Sequence, residues 1–310
     1  MEQFDIYPSE LYGFVQSLIG PFQIITNCRP KSSRTGVWKL SSNVDHKYYY
    51  LKTFSRKQRW HPEVYAYQNW VGHLKPYVPE MIRAFEGDGW QGILITSVEG
   101  TIMRDTRLDP DAIEGAYCKA GELTKLLHDS QVGEWFGRPD QNGTPIELYH
   151  DRDPVNYVHR SIRDLADRAV QEQLLDSSEI ELLEWAFRNV EVFEHTKPVP
   201  ISWDSTPGNW LVDGNGVFTG MIDFENMLWG LDVDNFSILF ERYFAGDEIA
   251  KRAFFKGYGP EVLKEKSRQI KICCIKMAIG DIYWGTRNNS PTVREYGRSL
   301  LKRIYNNQLI

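Results

Sequence analysis

The segment that most constrains this chain is ISWDSTPGNWLVDGNGVFTGMIDFE, residues 201 to 225. Its strand candidates NWLVD and GVFTGMIDF are joined by the turn Gly214–Gly216, which is typical of a β-hairpin. Such a hairpin returns Asp223 to the side of Asn209, and Asp204 precedes Asn209 at D-x-x-x-x-N spacing. The pattern therefore predicts that three oxygen-bearing side chains converge on one rigid β-turn-β unit.

This set of side chains is the one that phosphoryl transfer requires. One carboxylate orients an attacking hydroxyl and accepts its proton, while a second carboxylate and an amide oxygen hold magnesium, a hard cation that prefers oxygen ligands. The alternative is an ordinary acidic hairpin whose Asp and Asn side chains only shape turns. The spacing and the I-D-F-E ending favour the functional interpretation.

The chain before this segment reads mainly as β structure. Strands are predicted at PFQIITNC, GVWKLSS, YYYLKTF, MIRAFEG and GILITSV, and a helix at HPEVYAYQNWVGHL, residues 61 to 74, with Pro62 in its first turn. Gly87–Gly92 matches G-x-G-x-x-G, but a strand follows it rather than a helix, so it indicates a hairpin turn and not a dinucleotide site.

After Gly100 the apolar residues recur at three- and four-residue steps, which predicts helices. The first covers about 109 to 130 with Asp109 as N-cap, and others precede and follow the hairpin. A sheet-rich front and a helical back predict a bilobal α+β molecule, with an N-terminal lobe at 1–96, a C-terminal lobe at 97–310 and a connector near 96–100.

The hairpin segment resembles the aminoglycoside phosphotransferase family, whose loops commonly read H-G-D-x-x-P-G-N and I-D-W/F-E. The resemblance implies a protein-kinase-like fold, Asp204 as catalytic base, and Asn209 and Asp223 as Mg²⁺ ligands. Ser202 and Trp203 depart from the pattern, since they replace the family's His and Gly.

The same resemblance implies a nucleotide site in the N-terminal lobe. Lys52 would bind the phosphates of ATP or GTP and pair with Glu63. The Thr96 carbonyl and the Val98 amide would bind the purine edge, and a loop from Pro30 to Gly36 with Ser32 and Ser33 would cover the phosphates.

Composition excludes other classes of protein. The net charge of −6 argues against nucleic acid as the main partner, and no apolar run is long enough for a membrane span. The four cysteines form no C-x-x-C pair, and the first residues lack a secretory signal, so a reducing, cytoplasmic location is expected. The partners are then a nucleotide and a small-molecule acceptor, for a monomer or a homodimer.

The expected function is phosphorylation of a hydroxyl on a small molecule, with an antibiotic such as an aminoglycoside as the first candidate. Glu225 and Asp232 would form part of an acidic floor for its ammonium groups. Two alternatives stay open: a metabolic kinase for a choline-, homoserine- or sugar-like alcohol, and a nucleotide-binding pseudokinase that serves as a scaffold.

Overall fold

A computed structural model describes residues 9–29, 35–146 and 150–310 and shows a sheet-rich N-terminal lobe beside a larger helical lobe. The first lobe contains α1 (Glu10–Ile19), β1 (Phe22–Asn27), β2 (Thr35–Ser42), β3 (Tyr48–Phe54), α2 (Lys57–Asn69), β4 (Met81–Gly87) and β5 (Trp90–Thr96). Its antiparallel sheet has the order β1-β2-β3-β5-β4. All five strands predicted from the sequence are present, and Gly87 pairs with Trp90 across the expected hairpin turn.

Helices cover both faces of this sheet. On one face α1, a helix not predicted from the sequence, buries Leu11 and Val15 against Leu40 and Leu51. On the other face Trp60 of α2 belongs to a second apolar cluster and donates its indole N–H to the Gly92 carbonyl at 3.0 Å. Each large apolar side chain buried in this way stabilises the lobe by about 1.5–3 kcal/mol.

The predicted bounds of α2 are wrong. The helix begins at Lys57 rather than near His61, so Pro62 lies inside it and not in its first turn. A proline at this position removes one helical hydrogen bond. The helix persists because Trp60, Glu63 and Val64 are buried around the proline, and tertiary packing compensates for the lost bond.

The C-terminal lobe is mostly helical, with short strands embedded in it. Its elements are β6 (Thr101–Ile102), α3 (Pro110–Ser130), α4 (Pro154–Gln171), α5 (Ser177–Arg188), β7 (Val199–Ser202), β8 (Trp210–Val212), β9 (Phe218–Met221), β10 (Met227–Gly230), α6 (Ser237–Arg242), α7 (Glu248–Tyr258), α8 (Val262–Glu265), α9 (Ser267–Arg287) and α10 (Pro291–Tyr305). The strands form two small sheets, β6-β8-β9 and β7-β10. None of the described helices combines the length and the apolar character that crossing a membrane requires.

Two features of this lobe fix its geometry. Asp109 caps α3 as predicted, since its carboxylate accepts from the Ala112 amide at 2.8 Å. Further along α3, a Cβ on Gly121 would lie 2.0 Å from the Phe254 carbonyl oxygen, so α3 and α7 approach each other more closely than a side chain permits.

The connector turns sharply between the lobes. Gly100 has φ +131°, and a Cβ there would lie 2.9 Å from the Val212 carbonyl oxygen. Glycine is therefore required where the chain leaves β5 and joins β6 at the edge of the β8–β9 hairpin. The division into lobes at residue 96 and the connector near 96–100 stay predictions.

Candidate active site

The β8–β9 hairpin positions the residues that the sequence singled out. Trp210 pairs with Met221, and the Ile222 amide donates to the Asn209 carbonyl at 2.9 Å, so Asp223 lies directly beside Asn209. Asp223 has φ +68°, a left-handed conformation that aspartate adopts at modest cost. Its side chain is 10% exposed. The turn residues thus achieve the juxtaposition that the sequence predicted.

Asp204 lies between β7 and β8 and is linked to the same hairpin. The Asn209 amide nitrogen donates to the Asp204 main-chain carbonyl at 2.9 Å. Burial and the nearby Asp223 raise the pKa of the Asp204 carboxyl, while a side-chain hydrogen bond from Asn209 lowers it. A carboxylate with a raised pKa is a better proton acceptor than one at its ordinary value, which suits a general base.

Lys52 of β3 joins the two lobes. Its ammonium lies 2.6 and 2.8 Å from the carboxylate oxygens of Glu63 in α2, and 2.9 Å from Oδ1 of Asp223. Although burial opposes the charged form, Asp223 and Glu63 raise the pKa of the Lys52 ammonium above its ordinary value. Burial would raise the pKa of the Asp223 carboxyl, but Lys52 and Arg29 hold it at about 2. Both groups are therefore ionised at neutral pH.

The oxygen donors present fit a magnesium ion. Carboxylate oxygens of Glu63, Asp223 and Glu225 lie within 4.8 Å of one another. The side-chain nitrogen of Asn209 donates to the Asp204 main-chain carbonyl, so the side-chain oxygen of Asn209 points away from that carbonyl. Carboxylate and amide oxygens are the ligands that this hard cation takes.

Two arginines, neither of them predicted from the sequence, also lie in the site. Arg29, just after β1, lies with a guanidinium nitrogen 2.5 Å from Oδ2 of Asp223. Arg59 of α2 forms an ion pair with Glu225. No motif marks these residues. The only signal was electrostatic, since a cluster of buried carboxylates needs cations nearby.

The predicted purine-binding positions lie at the end of β5. The Thr96 amide donates to the Glu80 carbonyl at 2.9 Å, and the Thr96 hydroxyl accepts from the Glu80 amide at 2.8 Å. The amide and carbonyl of one residue in an antiparallel strand point to the same side, so the Thr96 carbonyl faces the β4 side of β5. Val98 packs near Gly220. Ser32 and Ser33 lie outside the described residues.

The two acidic residues predicted to bind an acceptor, Glu225 and Asp232, lie in two separate places. Glu225 lies in the carboxylate cluster with Glu63 and Asp223 and pairs with Arg59. Asp232 pairs with Lys266 and lines a separate cavity beside Gln269.

A buried hydrogen-bond chain holds the backbone at Ser202, which replaces the family's histidine. The imidazole of His128 contacts the Tyr258 hydroxyl at 2.9 Å and Asn235 Oδ1 at 3.3 Å. The same Asn235 oxygen accepts from the Ser202 amide at 3.0 Å. His128 therefore links α3 to α7 and to the segment that follows β10.

A cavity of about 170 Å³ opens beside Trp203, the residue that precedes Asp204 in the chain. It is lined by Gly137, Arg138, Tyr157, Arg160, Ser161, Asp164, Trp203 and Leu228. The Trp203 indole donates to Asp234 at 3.1 Å, and the Arg138 guanidinium lies 5.4 Å from the ring centroid. Trp203, one of the two residues that depart from the family pattern, thus forms one wall of this cavity.

Comparison with known proteins identifies the family. A model of the phosphotransferase enzyme family matches residues 37–268. This chain belongs to that family. It is therefore a kinase-type phosphotransferase whose acceptor is a hydroxyl group of a small molecule, and the family predicted from the sequence is confirmed. A search of curated proteins found no match.

Solved structures of phosphotransferases share the fold at low sequence identity. A thermostable mutant of aminoglycoside phosphotransferase APH(4)-Ia, in ternary complex with AMP-PNP and hygromycin B, is 14% identical with a TM-score of 0.71, over 95% of this chain and 97% of that one. APH(2")-IIIa in complex with GDP and kanamycin is 15% identical with a TM-score of 0.64, over 96% and 99% of the two chains. These likenesses confirm the predicted bilobal, kinase-like α+β fold.

Proposed function

We propose that this phosphotransferase uses Mg²⁺ and ATP or GTP to phosphorylate a small-molecule alcohol, with Asp204 as the general base. The observation that carries the proposal is the contact of Lys52 with both Glu63 and Asp223. This contact brings a phosphate-binding lysine from one lobe to the hairpin that carries Asp204 and Asn209 in the other.

The residues then divide the reaction between them. Asp204 orients the acceptor hydroxyl and takes its proton as the oxygen forms a bond to the γ-phosphorus, whose bond to the β-phosphate oxygen breaks. Lys52, held by Glu63, stabilises the negative charge of the phosphates. Asn209 and Asp223 would hold magnesium, which when bound neutralises charge on the transferred group. Thr96, Val98, Ser32 and Ser33 remain proposed nucleotide contacts.

Two acceptor classes follow from the family. The antibiotic hypothesis draws on the similar structures that hold hygromycin B and kanamycin. A polycationic drug requires acidic residues, yet Glu225 and Asp232 are each already paired with a cation. The cavity beside Trp203 is small, and its lining contains Asp164 together with Arg138 and Arg160, of which Arg160 is paired with Asp151. These features favour the second candidate, a small choline-, homoserine- or sugar-like metabolic alcohol.

The pseudokinase alternative is less well supported. Ser202 replaces the family's histidine, but its amide is held by Asn235, and His128 is bonded to the same oxygen. The loop therefore keeps its support by another route, and Lys52, Asp204, Asn209 and Asp223 are all in place.

A phosphoryl-transfer panel tests the proposal. The protein is incubated with labelled ATP or GTP, Mg²⁺ and four acceptor sets: aminoglycosides, choline-like alcohols, hydroxy amino acids and sugars. Transfer to one set, lost in Asp204→Asn, would support the function and identify the acceptor class. Tight nucleotide binding without transfer to any acceptor and without basal hydrolysis would favour the scaffold.

A further inference from the structure

Arg29 occupies the carboxylate that the metal would need. Its guanidinium lies 2.5 Å from Oδ2 of Asp223, while Lys52 lies 2.9 Å from Oδ1, so each oxygen of this carboxylate has a cationic partner. The two residues of the Arg29–Asp223 pair are 194 positions apart and belong to different lobes. The pair therefore closes the cleft across the position where nucleotide phosphates and magnesium meet.

Each carboxylate of the cluster has a cationic partner. Three carboxylates, Glu63, Asp223 and Glu225, contact three cations, Lys52, Arg29 and Arg59. A magnesium ion at Asp223 would lie within a few ångströms of the Arg29 guanidinium, and two positive charges at that distance repel strongly in a partly buried site. One of them must leave. Arg29 is the partner that can move, since 37% of its side chain is exposed against 6% for Lys52.

The backbone of Arg29 is held while its side chain is able to move. The Cys28 amide donates to the Val37 carbonyl at 2.7 Å, and the Arg29 amide donates to the Asn27 side chain at 2.9 Å. The main chain therefore stays attached to the β1–β2 edge. A guanidinium released from Asp223 remains next to the phosphate position, and its planar set of N–H donors matches phosphate oxygens.

We propose that Arg29 is a phosphate-binding residue that exchanges its partner Asp223 for the nucleotide phosphates when the metal takes Asp223. The proposal rests on the proposed function, because it assumes that nucleotide and metal bind in this cleft. It adds to that function a competition between Arg29 and the metal for the Asp223 carboxylate. Arg29 opposes metal binding when nucleotide is absent and supports nucleotide binding when it is present.

The test measures two affinities that this competition moves in opposite directions. Calorimetry measures binding of ATP and of GTP in EDTA and in Mg²⁺, and electron paramagnetic resonance measures binding of Mn²⁺ alone. For Arg29→Ala we expect nucleotide binding weakened about tenfold or more, the size of a lost hydrogen bond to a charged group. We expect Mn²⁺ binding without nucleotide to be tightened. Arg29→Lys should fall between wild type and Arg29→Ala in both measurements.

The control is Lys57→Ala, which removes a cation that pairs with Glu86 at the surface, and it should leave both affinities unchanged. Unchanged or tighter nucleotide binding in Arg29→Ala would overturn the proposal. Arg29 would then only form an ion pair with Asp223 between the lobes. Weaker binding of both nucleotide and Mn²⁺, together with a lower Tm, would also overturn the proposal, since a purely structural role gives that result. Failure of the wild-type protein to bind either nucleotide would instead contradict the proposed function.

Discussion

The Lys52 ammonium lies 2.9 Å from Oδ1 of Asp223, although the residues are 171 positions apart and come from opposite sides of the cleft. The same ammonium contacts both oxygens of Glu63, so one buried cation links β3, α2 and the end of the β8–β9 hairpin. The arrangement of the site follows from this link. Substitutions of single residues are expected to separate their contributions to chemistry, ligand binding and stability.

Asp204→Asn should abolish chemistry without affecting metal and nucleotide binding. We expect kcat to fall about 100-fold or more, because a transition-state group is lost, while calorimetry shows near-normal affinity for the Mg·nucleotide complex. Asn209→Ala and Asp223→Asn should instead weaken that affinity, since they remove proposed metal ligands. Equal loss of binding in all three variants would show that the roles are misassigned.

Lys52→Met should destabilise the fold and also weaken nucleotide binding. It leaves the fully buried Glu63 carboxylate without its cation, and breaking a buried pair in this way costs about 3–5 kcal/mol. The double variant Lys52→Met/Glu63→Leu should recover most of the free energy of unfolding in urea titrations and still fail to bind nucleotide. A single variant as stable as the wild type would mean that Glu63 is protonated or solvated.

Stability should depend on pH through His128. Burial lowers the pKa of its imidazole to about 4, from an ordinary value of 6.5. The unfolded chain therefore binds the proton first as the pH falls. Stability from this group is complete above pH 6.5 and is lost between pH 6.5 and about 4, by about 3 kcal/mol in total.

Urea titrations across this pH range test the assignment. In His128→Gln the slope of unfolding free energy against pH should flatten in that window, whereas His73→Gln, at an exposed position, should keep the wild-type slope. An unchanged slope in His128→Gln would assign the pH dependence to other groups.

Gly121→Ala and Gly115→Ala, on the same helix, should act in opposite directions. A Cβ at Gly121 would lie 2.0 Å from the Phe254 carbonyl oxygen, so α3 and α7 must separate, at a cost of about 1–3 kcal/mol or more. Nothing lies within 4 Å of a Cβ at Gly115, where alanine should stabilise the helix by about 0.5–1 kcal/mol. Thermal unfolding of the two variants measures the difference, and similar Tm values would exclude close helix packing as the reason for Gly121.

Local patterns predicted much of this molecule. The five N-terminal strands, the Asp109 cap of α3 and the β8–β9 hairpin follow from alternation, capping residues and turn residues, all of which act within a few positions of the chain. The bounds of α2 did not follow, because burial of Trp60 and Glu63 overrides the helix-breaking preference of Pro62. Helix α1 was missed, although Leu11, Val15 and Ile19 recur at four-residue steps.

For the site, the sequence by itself determined which residues are the candidates for the chemistry, because D-x-x-x-x-N spacing and a hairpin place Asp204, Asn209 and Asp223 within one short segment. Only the tertiary structure decided their partners. Arg29 and Arg59 pair with carboxylates that are far away in sequence. Glu225 lies in the carboxylate cluster with Glu63, whereas Asp232 lies outside that cluster. The physical reason is that ion pairing in a closed cleft depends on distance in space and on burial, and neither is written in the spacing of residues along the chain.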